Sequence, residues 1–257
     1  MNNKILLVIV VLLSVCTRSY SLDSLQIDKS NYLNTLSNAL KKIGENMPYS
    51  AIDIMESLKE TSKLDNSGYN VLMLAYNSAN KDNEVISLYK EWESNKSLVN
   101  EATLREKMSM YSNVSLALSH IGRYEESILM TEKYIDGLKE LDEKNTLVYA
   151  YALMSETYQN FGDSEKAFRF LNDAINLKLE LFNATIIDVL NEKIRDTELS
   201  EMFVSAANLF RKKGDLKEME RYLALSCACG NNGAIELMNK LGLKYKKTLK
   251  SLKKDLR

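Results

Sequence analysis

The sequence offers few side chains for nucleophilic, acid–base or metal chemistry. His120 is the only histidine among 257 residues, so a metal site built from several histidines cannot form, and a Ser-His-Asp triad would have to use this one residue. The carboxylate pairs Glu125–Glu126 and Glu218/Glu220 fall among lysines on predicted helix surfaces, which is typical of solvated residues. The sequence therefore predicts no enzyme, no catalytic residue, no metal and no cofactor.

The cysteines do not suggest a reactive centre either. Cys227 and Cys229 are two residues apart on a predicted helix, so their side chains point in different directions and make a poor disulfide or metal chelate. We interpret both as small packing residues.

The elements that would have to position any site are helices. The stretch Leu147–Leu177 reads as two amphipathic helices joined by one tight turn. Tyr151 and Tyr158 lie on one face of the first helix, and Gly162 can adopt the left-handed conformation that ends it. Asp163 can then cap the second helix by accepting a backbone hydrogen bond. The inner face of that second helix has small and apolar residues: Ala167, Leu171 and Ala174.

The same pattern recurs at four turns in one register. The turns lie at Asn80, Gly122, Gly162 and Gly214. Aromatic residues stand eleven positions before them: Tyr69, Tyr111, Tyr151 and Phe203. Aromatic or apolar residues stand four positions before them: Tyr76, Leu118, Tyr158 and Phe210. This pattern resembles the tetratricopeptide repeat. The resemblance implies an all-α protein, an α-solenoid of about five antiparallel helix pairs in a right-handed superhelix.

The repeat register also predicts the domain organisation. Residues 22–257 form one helical repeat domain, with pairs at roughly 30–62, 66–96, 101–140, 144–182 and 197–229 and a final helix over 232–255. The excess length between Phe182 and Leu199 predicts either a helix extension or an inserted short helix. Residues 223–245 resemble the Sel-like relative of the same repeat, with Gly242 as a close-contact point inside the last helix. We expect that helix to cap the open core.

The resemblance also implies where a partner would bind. In tetratricopeptide arrays the first helix of each pair lines the concave side. The corresponding candidate partner-binding residues are Asn34, Asn38, Asn70, Asn77, Ser112, His120, Tyr149, Glu156, Gln159, Asn208 and Arg211. Asn and Gln side chains both donate and accept hydrogen bonds, which suits the backbone of an extended peptide. The same residues also fit an ordinary solvated helix surface, so both interpretations stay open.

The N-terminus resembles a secretory signal. Lys4 precedes an apolar run from Ile5 to Val15, and Ser19–Ser21 forms a small-x-small cleavage pattern. Residues 1–21 are therefore predicted to be a signal peptide, and the protein to be exported, periplasmic or secreted, from a bacterial cell. The alternative is a lipoprotein anchored through Cys16, although Val15 departs from the small residue that a lipobox requires.

The net charge of the mature chain and the basic charge of its C-terminal tail both bear on the kind of partner. Removing residues 1–21 leaves 32 basic and 35 acidic residues, a net charge of −3, so nothing suggests a nucleic-acid partner. The tail from Lys244 is basic, yet Tyr245, Leu249 and Leu252 form an apolar stripe along it. We interpret this tail mainly as a helix that caps the core and, secondarily, as a peripheral membrane contact. The leading hypothesis is an exported scaffold that binds a protein or peptide; the alternative is a membrane-associated or lipid-anchored envelope assembly factor.

Overall fold

The structure is a computed structural model that describes residues 25–255. This range contains fourteen helices and no strand, which confirms the predicted all-α fold. The helices are α1 (Leu25–Gly44), α2 (Pro48–Thr61), α3 (Asn66–Ser78), α4 (Asp82–Ser94), α5 (Lys96–Glu101), α6 (Leu104–His120), α7 (Tyr124–Glu140), α8 (Lys144–Phe161), α9 (Ser164–Leu181), α10 (Ile186–Leu190), α11 (Thr197–Lys213), α12 (Leu216–Ala228), α13 (Asn232–Lys240) and α14 (Tyr245–Asp255). The predicted signal peptide and Cys16 lie outside the described residues.

The chain divides into two compact units, with the boundary after Tyr134 inside α7. In unit 1, the part up to that boundary, α1 packs on α2 and α3 packs on α4. Each first helix also packs on the next one, α1 on α3 and α3 on α6. The second helices α2 and α4 fill the spaces between successive first helices, since α2 contacts α3 and α4 contacts α6. This is the packing of stacked helix pairs that bury a common core.

Local signals in the sequence set the ends of these helices. Asp65 accepts a hydrogen bond from Gly68 N at 2.8 Å and caps α3. Thr103 and Glu106 form a reciprocal capping box at the start of α6. Asn80 has a φ of 55°, so it ends α3 in the left-handed conformation that asparagine tolerates. The turn predicted at Asn80 is confirmed.

The core of unit 1 includes Trp92, whose side chain is 1% exposed. Its indole Nε1 donates to Asn66 Oδ1 at 2.7 Å, and Asn66 Nδ2 donates to Leu98 O at 3.1 Å. The buried asparagine therefore ties the start of α3 to α4 and to the short helix α5. The sequence pattern did not predict α5.

Unit 2 begins within α7 and contains two regular pairs, α8 with α9 and α11 with α12. Gly162 and Gly214 end α8 and α11 with φ values of 95° and 78°. The long connection after α9 contains the short helix α10, which starts with a capping box at Thr185 and Asp188. Of the two predicted alternatives, the inserted short helix is the correct one. It packs on α12 and α14.

The prediction of one final helix over 232–255 is wrong. Gly242 has a φ of 72°, and Leu243 N donates to Met238 O at 2.8 Å, so α13 ends and α14 begins at Tyr245. Gly242 is also not a close-contact point, because a Cβ there would meet nothing within 4 Å. A glycine inside a helix costs about 1 kcal/mol relative to alanine, whereas a glycine just past a helix end is favourable. Leu249 of α14 is buried, and α14 packs on α12.

Candidate binding surfaces

A row of polar side chains follows the first helices of unit 1. Asn34 and Asn38 are exposed on α1, while Asn77 on α3 and Ser112 on α6 are partly exposed. Because α1, α3 and α6 pack side by side, these side chains belong to one set of neighbouring helices. We call the residues Asn34, Asn38, Asn70, Asn77, Ser112 and Asn113 the asparagine row.

Asn70 has a different position from the one expected. Its side chain is 1% exposed, and its Nδ2 donates to Asn66 O at 3.1 Å and to Glu106 O at 3.4 Å. It therefore joins α3 to α6 rather than standing open on the surface. The repeat register does not indicate this burial, which results from the close approach of the two helices.

Asn77 makes a second link between the same helices. Its Nδ2 donates to Asn113 O at 3.1 Å and to Asn113 Oδ1 at 3.0 Å. Asn113 is not among the binding residues predicted from the sequence. Asn66, Asn70 and Asn77 are spaced by four and seven residues, which places them on one helix face. That spacing is the signal that could have revealed a buried asparagine network.

The asparagine row contains buried polar atoms with no hydrogen-bonding partner in the described chain. They are the acceptors Asn70 Oδ1 and Asn77 Oδ1 and the donor Asn113 Nδ2. A buried polar atom without a partner costs about 1–3 kcal/mol, and such atoms are rare in folded proteins. The row can therefore still donate and accept hydrogen bonds, and these atoms lie near the partly exposed side chains of Asn77 and Ser112.

His120 ends α6 and pairs with α4. Its Nδ1 lies 3.0 Å from Asp82 Oδ1, at the first residue of α4. The imidazole is about half exposed, whereas the Asp82 side chain is mostly covered. The carboxylate orients the ring, so His120 fixes the junction of two helices as well as presenting one ring edge to solvent.

The candidates of unit 2 do not form a similar row. Tyr149, Glu156 and Gln159 lie on α8, and Asn208 and Arg211 lie on α11. In the described part of unit 2, α11 packs mainly on α12 and also on α9, and α8 and α11 share no extensive contact. Glu156 and Arg211 are exposed, while Gln159 and Asn208 are partly buried. The structure therefore does not bring these five residues together on two adjoining helices.

Tyr149 remains a neutral phenol at any ordinary pH. Its side chain is partly buried, and this burial, followed by the nearby charge of Glu156, raises the pKa of Tyr149 to about 12. The residue can donate one hydrogen bond and offer a flat apolar ring, a combination that is common at binding hot spots.

The cysteines of the described chain are buried in its packed interior. Cys227 and Cys229 are free and buried, as the packing interpretation expected. Burial raises the pKa of Cys227 to about 11, and burial followed by the charge of Asp196 raises the pKa of Cys229 to about 12. Both thiols therefore stay protonated and weakly nucleophilic. Between residues 29 and 255, no group of three or more His, Cys, Asp or Glu side chains could hold a metal ion.

Among the described helices, none is both long enough and apolar enough to cross a membrane.

Comparisons with known proteins define the class of fold. No protein-family model and no curated protein sequence matches the chain. The chain is similar in structure to a kinesin light chain-like protein of Podosopora anserina with nearly identical TPR-like repeats. That match has a TM-score of 0.60 and 14% sequence identity, and covers 78% of this chain and 95% of the other. It is also similar to BtubC (BKLC) from P. vanneervenii, with a TM-score of 0.51 and 12% identity, covering 76% of this chain and 72% of that one.

These similarities show that the chain has a tetratricopeptide-like repeat fold. The resemblance stated from the repeat register is confirmed at the level of the fold. Folds of this class are generally scaffolds for protein interaction rather than enzymes.

Proposed function

We propose that this protein is an exported, non-enzymatic scaffold that binds an extended segment of a protein or peptide along the asparagine row of unit 1. The observation that supports this proposal is the set of buried amide atoms without partners in that row, two acceptors and one donor. An extended peptide backbone alternates N–H donors and C=O acceptors, so it can satisfy both kinds of atom.

The spacing of the row fits an extended chain. Asn70 and Asn77 are seven residues apart on α3, which corresponds to about 10 Å along the helix axis. An extended peptide rises about 3.3 Å per residue, so three of its residues span this distance. The row itself has no charged side chain, which favours recognition of a peptide through its backbone and small polar side chains.

Binding requires a small local movement. The unpartnered atoms are buried, so the amide groups of Asn70, Asn77 and Asn113 must rotate or separate slightly to meet a ligand. The cost is limited, because the hydrogen bonds that these amides lose are replaced by bonds to the peptide. Such a rearrangement of side chains without backbone motion is common at protein interfaces.

A blocking substitution tests this proposal. Ser112→Trp places a large ring on the partly exposed face of α6, while Ser87→Trp places the same ring on the exposed face of α4. Peptides selected from a random decapeptide library on the mature chain would be measured against both variants by fluorescence anisotropy. We expect Ser112→Trp to weaken binding at least about tenfold, roughly the loss of one hot-spot contact, and Ser87→Trp to leave it unchanged. Equal binding by both variants would remove the asparagine row from the proposal.

Export is a separate part of the proposal and needs its own measurement. It rests on the predicted signal at residues 1–21. The intact mass of the protein purified from its own cell envelope distinguishes cleavage after Ser21 from lipidation of Cys16. An unprocessed N-terminus would contradict both forms of export.

The membrane-associated alternative depends on α14. This helix is basic, yet Leu249 of its apolar stripe is buried against the protein, so a bilayer would meet mainly lysines. Deletion of residues 246–257 is expected to lower the unfolding temperature with or without membranes. If the deletion abolished binding to anionic vesicles and left stability intact, α14 would instead be a membrane contact.

A further inference from the structure

Unit 2 contains a cavity of about 800 Å³ between α10, α12 and α14. Its size is within the range of sites for small organic ligands. Leu190 and Leu225 of the lining are fully buried, so the apolar surface open to the cavity comes from Ile186, Leu243 and Leu252, which are partly exposed. The polar side consists mostly of charged residues.

Basic side chains predominate among the lining residues that remain available to a ligand. The lining has four basic and three acidic residues. Arg221 Nη1 pairs with Glu218 Oε2 at 3.3 Å, and Glu220 accepts a hydrogen bond from Thr248. Within the described chain, the ammonium groups of Lys217, Lys244 and Lys247 form no ion pair. Three exposed lysines thus surround the cavity with only Asp255 left to oppose them.

The three lysines of the lining lie near the starts of two helices. Lys217 lies in the first turn of α12, Lys244 directly precedes α14 and Lys247 lies in the first turn of α14. The hydrogen bond between Thr248 and Glu220 places the early turns of the two helices next to each other. The lysines therefore come from adjoining turns of the two helices.

We propose that this cavity binds an anionic single-chain amphiphile, a molecule with a carboxylate or phosphate head and a hydrocarbon chain. The head would be held by Lys217, Lys244 and Lys247, and the chain would contact Ile186, Leu243 and Leu252. Lysine ammonium groups attract an anion as point charges, and burial of the chain supplies the apolar free energy of binding. This site is independent of the asparagine row and of the function proposed for it.

The test uses the mature chain and ligands below their micelle concentrations. Dodecanoate and dodecyl phosphate represent the two possible sources of the head group. Butanoate and inorganic phosphate provide the head alone, and dodecyltrimethylammonium provides the chain with the opposite charge. Isothermal titration calorimetry is expected to give one site for each of the two anionic amphiphiles, with the tighter one identifying the head group, and binding at least about tenfold weaker for the three control ligands.

Two matched variants locate the site. Replacing the lining lysines, Lys217→Gln, Lys244→Gln and Lys247→Gln, is expected to weaken dodecanoate binding at least about tenfold. The control replaces three lysines of α14 that do not line the cavity, Lys250→Gln, Lys253→Gln and Lys254→Gln, and should bind as the unmodified chain does. Ser251→Trp would fill the cavity mouth without changing the charge and should also prevent binding.

Several results would overturn the proposal. Equal losses in the two lysine variants would show a general attraction to a basic surface. Butanoate or inorganic phosphate binding as tightly as the amphiphiles would show a site for small anions only. Binding that survives Ser251→Trp, failure of both amphiphiles to bind, or tighter binding of an acidic apolar peptide would each rule out the amphiphile.

Discussion

The two units of the molecule use the same repeat positions for different interactions. In unit 1, Tyr69 and Tyr76 stand eleven and four positions before the turn, and each hydroxyl donates to a carboxylate, Glu91 at 2.7 Å and Glu56 at 2.8 Å. In unit 2, the residues four positions before their turns stack on other rings instead. Tyr158 stacks on Phe170 with centroids 5.6 Å apart, and Phe210 stacks on Tyr222 at 5.5 Å.

This difference shows which property of these repeat positions is shared by the two units and which one varies. Both units place a large side chain between paired helices, an aromatic ring at most copies and Leu118 at one. Unit 1 adds hydrogen bonds to neighbouring helices, through tyrosines and through the asparagine row, whereas unit 2 adds ring contacts. A repeat signature therefore specifies the volume and position of a side chain. The residues on the neighbouring helix determine whether its contact is polar or apolar.

The largest expected effect is in the aromatic core of unit 2. Phe203 is fully buried and packs near Tyr222 with centroids 6.2 Å apart. Phe203→Ala should lower the free energy of unfolding by about 3–5 kcal/mol, because it removes buried area and leaves a cavity. Urea denaturation followed by circular dichroism measures this loss. A cost below about 1 kcal/mol, the level of an ordinary surface substitution, would contradict the packing described for unit 2.

A smaller effect is expected in the asparagine row. Asn70→Ala removes two hydrogen bonds and leaves the carbonyl oxygen of Glu106 without that donor, so a cost of about 1–3 kcal/mol is expected. Asn38→Ala on the exposed face of α1 is the control and should change stability by no more than about 0.5 kcal/mol. Indistinguishable thermal unfolding of the two variants would show that Asn70 is not the buried link between α3 and α6.

A paired substitution compares the two units directly. Tyr76→Phe removes the hydroxyl that donates to Glu56 and should cost about 0.5–1.5 kcal/mol. Tyr158→Phe keeps the ring that stacks on Phe170, so its cost should be close to zero. Chemical denaturation of both variants gives the comparison, and an equal cost at the two positions would mean that the units do not differ in the way described.

The smallest expected effect is a dependence of the stability of unit 1 on pH. Burial alone would raise the pKa of Glu91, but hydrogen bonds from Lys59 and Tyr69 and the charge of Lys59 outweigh it and hold that pKa below 4.5. Because the folded-state pKa is depressed, the contribution to stability is present above pH 4.5 and is lost as the pH falls through the folded-state value. Glu91→Gln should therefore reduce the loss of thermal stability between pH 6 and pH 3. An unchanged pH profile would show that this ion pair does not contribute.

Much of the fold could be predicted because its signals are local. The turns at Asn80, Gly122, Gly162 and Gly214 all have positive φ values, and each follows from a residue that tolerates that conformation. The prediction that Gly242 lies inside a helix is wrong, because a glycine is compatible both with a close contact between helices and with a helix end. The apolar stripe on either side of it favoured a continuous helix. The burial of Asn70 and the cavity beside α14 were not predictable, because both depend on how closely two helices approach, and the sequence does not fix that distance.

The asparagine row is tested most directly by the side-chain amide signals of its own residues. In a ¹⁵N correlation spectrum, a selected peptide should shift the Nδ2 signals of Asn77 and Asn113, while the signal of Asn83, which is exposed on α4, should stay unchanged. Shifts confined to unit 2, or shifts of Asn83 without Asn77 and Asn113, would contradict binding along the row.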